Sequence, residues 1–256
     1  MLYGTLRELP FFGMGLIVVG LAVILSISGL LLVRRFVSDH HLKHHNDIAG
    51  AIFQTLGVSY AVLLAFMVVV AWQNFERAGL SVEKEANYIA SLIKKSYAFE
   101  EGFGGRIRAA SQKYADIVIA DWELLAEGKE SPEAKEALRK LSSLFAGYTP
   151  QNTKEEIFFS ESVKKIGLLG ETMRARIFES RQNIPLLLWT VLIFGGITTI
   201  SFTFFFGSAN LSSLMVMTSL LAILISLILY TILCLDSPFT GDIRIEPDAF
   251  RHMLSY

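Results

Sequence analysis

"IAGAIFQTLGVSYAVLLAFMVVVAW", residues 48–72, contains no Asp, Glu, Lys, Arg or His. A helix needs about 20 apolar residues to cross roughly 30 Å of hydrocarbon, so this stretch is long enough to span a bilayer. Working outward, residues 11–33, 184–209 and 210–235 are equally free of charge. Four spans are expected, at about 11–33, 49–72, 185–206 and 211–235. The chain has 256 residues, of which 52% are hydrophobic and 18% charged, with a mean hydropathy of +0.47. Soluble chains carry roughly a quarter charged residues, so the composition agrees with an integral membrane protein. The first span is too long for a signal-peptide h-region, its flank has only Arg7 against Glu8, and no A-x-A-like site follows, so it reads as a retained span.

The spans come as two hairpins. Residues 34–47 join the first pair and "GSAN" at 207–210 joins the second. Between the hairpins, residues 73–183 carry most of the charge and read as an all-α bundle built on extensions of spans two and three. From Val82, apolar residues recur at Ala86, Ile89, Ile93 and Tyr97, with Glu83, Lys84, Glu85, Lys94 and Lys95 assigned to the other faces. "EGFGG" at 101–105 reads as a break. A second stripe follows with Ile107, Ala110, Tyr114, Ile117 and Leu125. Ser131 is the expected N-cap of a third helix with Pro132 at its first position. Asn152 or Thr153 caps a fourth, whose stripe is Phe159, Val163, Ile166, Gly170, Met173 and Ile177. Residues 236–256 form a tail, in which Asp236 sits at the span boundary, Pro238 stops the helix, Gly241 permits a turn and Pro247 starts a short helix. Asp236 and Asp242 either belong to a plain exit turn or couple the bundle to the spans. Ile243 and Ile245 alternate with charges as a strand would.

Lys and Arg near span ends set the orientation. The insert side has Arg7, Arg77, Lys84, Arg174, Arg176, Arg181, Arg244 and Arg251, and the loop side has Arg34, Arg35 and Lys43. This bias places both termini and the insert in the cytoplasm, although Arg34 and Arg35 abut their span directly.

No ionisable residue lies at the middle of any span, which argues against a proton-coupled carrier. A channel with an apolar constriction survives, because such a gate needs no charge. No nucleotide, zinc-protease or serine-hydrolase motif is present, so no catalytic residue, cofactor or enzyme activity is implied. Net charge is −1, which gives nucleic acid no footprint. The single cysteine, Cys234, lies within the fourth span and reads as an apolar packing residue. In the second span Gly50, Gln54, Gly57, Ala61 and Ala65 share one helical face, opposite Phe53, Leu56, Leu63, Phe66 and Val70. The small face serves either close helix packing or a pore; Phe53, Gln54, Gly57, Tyr60 and Ala61 are the pore-lining or packing candidates. Span three repeats the theme with Gly195, Gly196, Thr199 and Thr203.

Four segments carry a family resemblance: "DHHL" at 39–42, "NDIAGAIFQTLGVSYAVLLAFMVVVAWQNF" at 46–75, "RARIFESRQNIPLLLW" at 174–189 and "LDSPFTGDIRI" at 235–245. They resemble the bestrophin-like domain-of-unknown-function family of bacterial membrane proteins. The resemblance implies a relation to bestrophins, pentameric anion channels with four spans, cytosolic termini and a pore-lining second helix. It therefore implies a homo-oligomer in a bacterial inner membrane, with lipid and an inorganic ion as partners. The acidic calcium-clasp run of eukaryotic bestrophins is absent, so calcium gating is not implied. The alternative is a non-conducting sensor or interaction protein whose cytoplasmic bundle docks a partner.

The loop "SDHHLKHHND" at 38–47 pairs His40 with His44 and His41 with His45 at helical spacing, a set suited to a metal or to pH sensing. The resemblance covers His40, His41, Asn46 and Asp47 but not Lys43, His44 and His45. It favours His40 and His41 as residues that seat the start of span two, with Asn46 and Asp47 as structural residues beside them.

Overall fold

The computed structural model describes residues 11–37, 46–208 and 210–254. His40, His41, His44 and His45 lie outside the described residues. The described chain is helical, without strands. In order it forms α1 (Phe11–Phe36), α2 (Asn46–Ser96), α3 (Glu101–Ala120), α4 (Glu123–Ala126), α5 (Pro132–Ala146), α6 (Thr153–Ser180), α7 (Leu186–Phe202), α8 (Leu211–Leu235) and α9 (Asp248–Leu254), with a 3₁₀ turn at Thr203–Phe205. The chain divides into two compact units. The first holds residues 1–73, 183–236 and 241–243; the second holds 74–182, 237–240 and 244–256.

In the first unit α1, α7, the 3₁₀ turn and α8 pack together, with α1 lying along α8. Leu30, Phe204 and Leu214 form a buried cluster closed by Val33, Ile200, Phe206 and Met215. Gly29 is required there: a Cβ at this position would stand 2.8 Å from the Phe204 ring. Thr203 and Thr218 satisfy each other across the interior at 3.1 Å. The outer surface inverts the soluble pattern. Phe12, Leu16, Leu25, Leu186, Leu187 and Phe194 are all exposed, as expected where the surrounding solvent is hydrocarbon. Among the described residues four helices are long and apolar enough to cross a membrane: Phe12–Phe36, Asn46–Ser96, Leu186–Phe205 and Leu211–Leu235.

α2 runs 51 residues without a break, about 75 Å at 1.5 Å per residue. The Val82 stripe extends the second span, as a bundle built on extensions of spans two and three requires: "QNFERAGLS" between the two contains no proline, and its one glycine, Gly79, meets the tip of Ile245 at 3.9 Å. Nothing there stops propagation. Between α6 and α7 the chain does break. Pro185 disfavours helical geometry at Ile184, and the Ile184 N–H that the helix loses is taken by the Asp236 carboxylate at 2.6 Å.

In the second unit α2 contributes Ala78, Val82, Ala86, Ile89 and Leu92, and the other helices close around them with Tyr114, Trp122, Leu141, Leu169 and Met173. Ser131 caps α5 by accepting from the Ala134 N–H at 2.9 Å. Asn152 caps α6 by accepting from the Glu155 N–H at 2.9 Å. Phe239 and Phe250 from the C-terminal segment pack edge-on against Trp122, whose indole donates to the Ile245 carbonyl at 3.0 Å.

Three details depart from the sequence reading. The segment "EGFGG" opens α3 instead of breaking a helix; the break is at 97–100. Gly104 sits so close to the end of α2 that a Cβ would lie 2.4 Å from the Ser96 carbonyl oxygen, which is the physical reason for glycine there. Tyr97 is 71% exposed because α2 has already ended. Glu85, assigned to an outer face, is fully buried. It follows Val82 by three and precedes Ile89 by four, so helical spacing puts it on the buried face.

Candidate functional site

The middle of α2 is held against α7 by Phe53 and Tyr60, whereas Phe66, on the face read as bulky, is 65% exposed. The Tyr60 hydroxyl donates to the Leu192 carbonyl at 2.7 Å. Its ring is seated on Gly195 and Gly196, where added Cβ atoms would fall 2.5 Å from the ring and 2.9 Å from the hydroxyl oxygen. Thus the small residues of span three make room for an aromatic of span two. Phe53 stacks on Phe202 at 5.7 Å and meets Phe206 edge-on at 5.5 Å. Leu64, Met67 and Ala71 are buried on the same side.

At its first residue α2 is tied a second way. The Asn46 side-chain amide donates to the Gly207 carbonyl at 2.8 Å and its oxygen accepts from the Gly207 N–H at 2.9 Å. Arg34 donates to the neighbouring Phe206 carbonyl. One asparagine therefore pins the start of α2 to the 207–210 connection, while Asp47 is exposed in the first helical turn.

The small face is left uncovered. Gln54, Thr55, Val58, Ser59, Ala61, Val62 and Ala65 are all exposed, with Val58 at 59% and Val62 at 64%. Among the described residues no atom comes within 4 Å of a Cβ built on Gly50 or Gly57. The hydroxyls on this face are already committed: Thr55 donates to the Ala51 carbonyl at 3.2 Å and Ser59 to the Thr55 carbonyl at 2.8 Å. Gln54 is exposed beside them, and its amide makes no hydrogen bond among the described residues. Of the candidates on this span, Phe53 and Tyr60 pack within the chain, Gly57 lies at the edge of the packed face, and Gln54 and Ala61 point away from it.

Where the fourth span ends, Asp236 is buried and accepts from Ile184 N–H and from the Trp189 indole at 3.1 Å. Pro238 accepts from the Ile245 N–H at 2.8 Å, and Gly241 adopts φ +75, a left-handed turn that favours glycine.

A polar cluster in the second unit escapes the sequence reading. Arg176 forms a fork on Glu85, with Nε to Oε2 at 2.7 Å and Nη2 to Oε1 at 3.1 Å. The Tyr114 hydroxyl donates to Glu85 Oε1 at 2.7 Å, and the guanidinium lies over Trp122 at 5.5 Å. Burial and the Glu85 carboxylate push the Tyr114 phenol well above 10. The signal available in the sequence was Arg176 between Met173 and Ile177, in phase with an apolar stripe. Among the described residues no group of His, Cys, Asp and Glu is arranged to hold a metal.

No curated protein matches the chain significantly. Among solved structures, a single-site variant of a bacterial bestrophin homologue from Klebsiella pneumoniae superimposes with a TM-score of 0.69 at 13% identity, covering 94% of this chain and 99% of that one. A second variant of the same homologue gives 0.67 at 14% identity over 93% and 98% of the two chains. Its structure phased on zinc gives 0.65 at 14% over 92% and 97%. At these identities the likeness shows a shared fold. The bestrophin-like domain family model matches residues 20–250, nearly the whole chain, so this membrane protein belongs to the bestrophin-like domain family.

Proposed function

We propose that several copies of the chain assemble around an axis and conduct an inorganic ion along the uncovered face of α2. The observation that carries this reading is the inversion of the second span. Phe53, Tyr60, Leu64 and Met67 are spent on contacts within the chain, whereas the side bearing Gln54, Val58, Ala61 and Ala65 faces outward, together with Phe66, and no described residue lies against Gly50 or Gly57. Small residues on an outward face let neighbouring copies approach, and an apolar ring formed by Val58 and its neighbours gates without charge. In this reading the spans pair as two hairpins, residues 73–183 form a cytoplasmic bundle between them, and the protein resides in a bacterial inner membrane. The family relation supports a channel, since the structural neighbours are bestrophin homologues.

The test is ion flux from purified protein in liposomes. Wild type conducts, and Val58→Ala or Gln54→Ala changes the rate at least severalfold while leaving the oligomer intact. A stable oligomer that passes no small ion would contradict the channel and favour the sensor alternative.

A further inference from the structure

Within the first unit α1, α7 and α8 enclose a cleft of about 260 Å³. Its inner wall is made by Ser26, Gly196, Ala222 and Ser226, all buried, and their small side chains leave the space unfilled. Its rim is made by Leu25, Ile193 and Ile197, all exposed on the outer surface. Phe204 closes one end, with its ring seated on Gly29. From Ile193 to Phe204 the cleft follows α7 for about 16 Å.

Protein interiors are close-packed and hold few voids larger than a water molecule, so a space this large calls for an occupant. Water does not suit it, because a buried water needs about two to four polar partners. The Ser26 hydroxyl already donates to the Val23 carbonyl at 2.9 Å and Ser226 to the Ile223 carbonyl at 3.0 Å. That leaves half-buried Ser201 as the one lining hydroxyl without a bond among the described residues. An apolar cavity of about 150 Å³ stays dry and takes a benzene, so on that scale this cleft has room for roughly ten carbons. A neighbouring helix is about 10–12 Å across with its side chains and does not enter so narrow a space. A single alkyl chain does.

The depth of the cleft and the nearest cation identify the source of that chain. Leu25 lies at the middle of the Phe12–Phe36 span, where the surrounding molecules are lipid tails. Ten residues further along α1 stands Arg35, about 15 Å away and within a quarter-turn of Leu25 around the helix. Half of a hydrocarbon layer of roughly 30 Å is the same distance, so Arg35 sits at headgroup depth. Arg34 turns inward to the Phe206 carbonyl, whereas Arg35 is exposed and forms no ion pair among the described residues.

We propose that the cleft holds one acyl chain of an anionic phospholipid whose headgroup pairs with Arg35. Nothing in this site depends on a path along α2.

The experiment is native mass spectrometry of the protein reconstituted in nanodiscs of phosphatidylglycerol and phosphatidylcholine in equal amounts, then moved into detergent. Wild type keeps one phosphatidylglycerol per chain, severalfold more often than phosphatidylcholine. Ala222→Leu fills the cleft and loses the lipid. Should that variant fold poorly, Ile197→Trp closes the exposed rim without touching the buried wall and loses it too. Arg35→Gln keeps a phospholipid but no longer prefers phosphatidylglycerol. Wild type that keeps no lipid, or both lipids equally, overturns the inference. So does retention unchanged in both Ala222→Leu and Ile197→Trp, or a map of the reconstituted protein with a neighbouring chain's side chain seated in the cleft. Ion flux in liposomes is read separately, so the channel reading stands or falls without these outcomes.

Discussion

Glu85 and Arg176 are buried together, with side-chain exposures of 0% and 6%, and each depends on the other. Taking two charges out of water is repaid only by close geometry and further hydrogen bonds; here the fork, the Tyr114 hydroxyl and the Trp122 face supply them. Arg176→Met strands a carboxylate in the core and is expected to cost about 3–5 kcal/mol. Glu85→Gln combined with Arg176→Met should cost less than Arg176→Met alone. Denaturant unfolding in detergent checks this, and a loss below about 1 kcal/mol for the single variant would mean the pair is not desolvated. Glu155 gives a pH-dependent counterpart. It accepts from the Gln151 N–H at 2.9 Å and the Tyr148 hydroxyl at 2.7 Å, bonds that hold its carboxyl below the usual 4.5. A lowered folded-state pKa contributes stability above the unfolded value and loses it as pH falls through the folded one. Acid unfolding below pH 4.5 should therefore be less steep in Glu155→Gln, as circular dichroism would show. The burial of Glu85 was within reach of the spacing 82, 85, 89. It was hidden because a Glu among Glu83 and Lys84 looks like part of a solvated face. Its partner on α6 lies 91 positions away, a pairing that local periodicity does not encode.

The lesson at the level of elements is that helix starts were legible and helix corners were not. Ser131 and Asn152 both cap as their sequence positions require, because an N-cap is a local contract between a side chain and a nearby backbone N–H. The corner between α2 and α3 depends on how closely two segments approach, which glycine content alone does not disclose. Gly104→Ala tests that corner. The new Cβ has only backbone to displace at Ser96, so a loss of about 1–3 kcal/mol is expected, whereas Gly147→Ala, with open space around it, should lose little. The paired helices of the first unit make a parallel case. Gly195→Ala drives a methyl into the Tyr60 ring and should break its bond to the Leu192 carbonyl. Tyr60→Phe keeps the ring and should lose about 1 kcal/mol. Equal losses in the two variants, measured by thermal unfolding, would show that the ring is not wedged. The small residues of span three are legible in the sequence; that they receive Tyr60 is not, since Tyr60 sits 135 positions upstream of Gly195.

For the molecule as a whole, the four spans and the helical class could be read from hydropathy, because a bilayer imposes length and apolarity on any helix that crosses it. Which side of α2 packs could not. Gly50, Gln54, Gly57 and Ala61 form the smaller face, and small faces often serve packing between helices. Here Tyr60, Leu64 and Met67 take that role within the chain, and the smaller face is left exposed. A bulky Gly57→Leu should accordingly leave secondary structure unchanged while lowering oligomer mass by light scattering or altering flux. Cys234, half-buried and free, can be replaced to give a background for the most direct test. Single cysteines placed one at a time from Gln54 to Val69 in the reconstituted protein are treated with a charged thiol reagent while flux is recorded. Rapid block at positions 54, 58, 61, 65 and 69, with silence at 60, 64 and 67, is the result expected of an axial path along the uncovered face. Silence along the whole line in a conducting protein would contradict it.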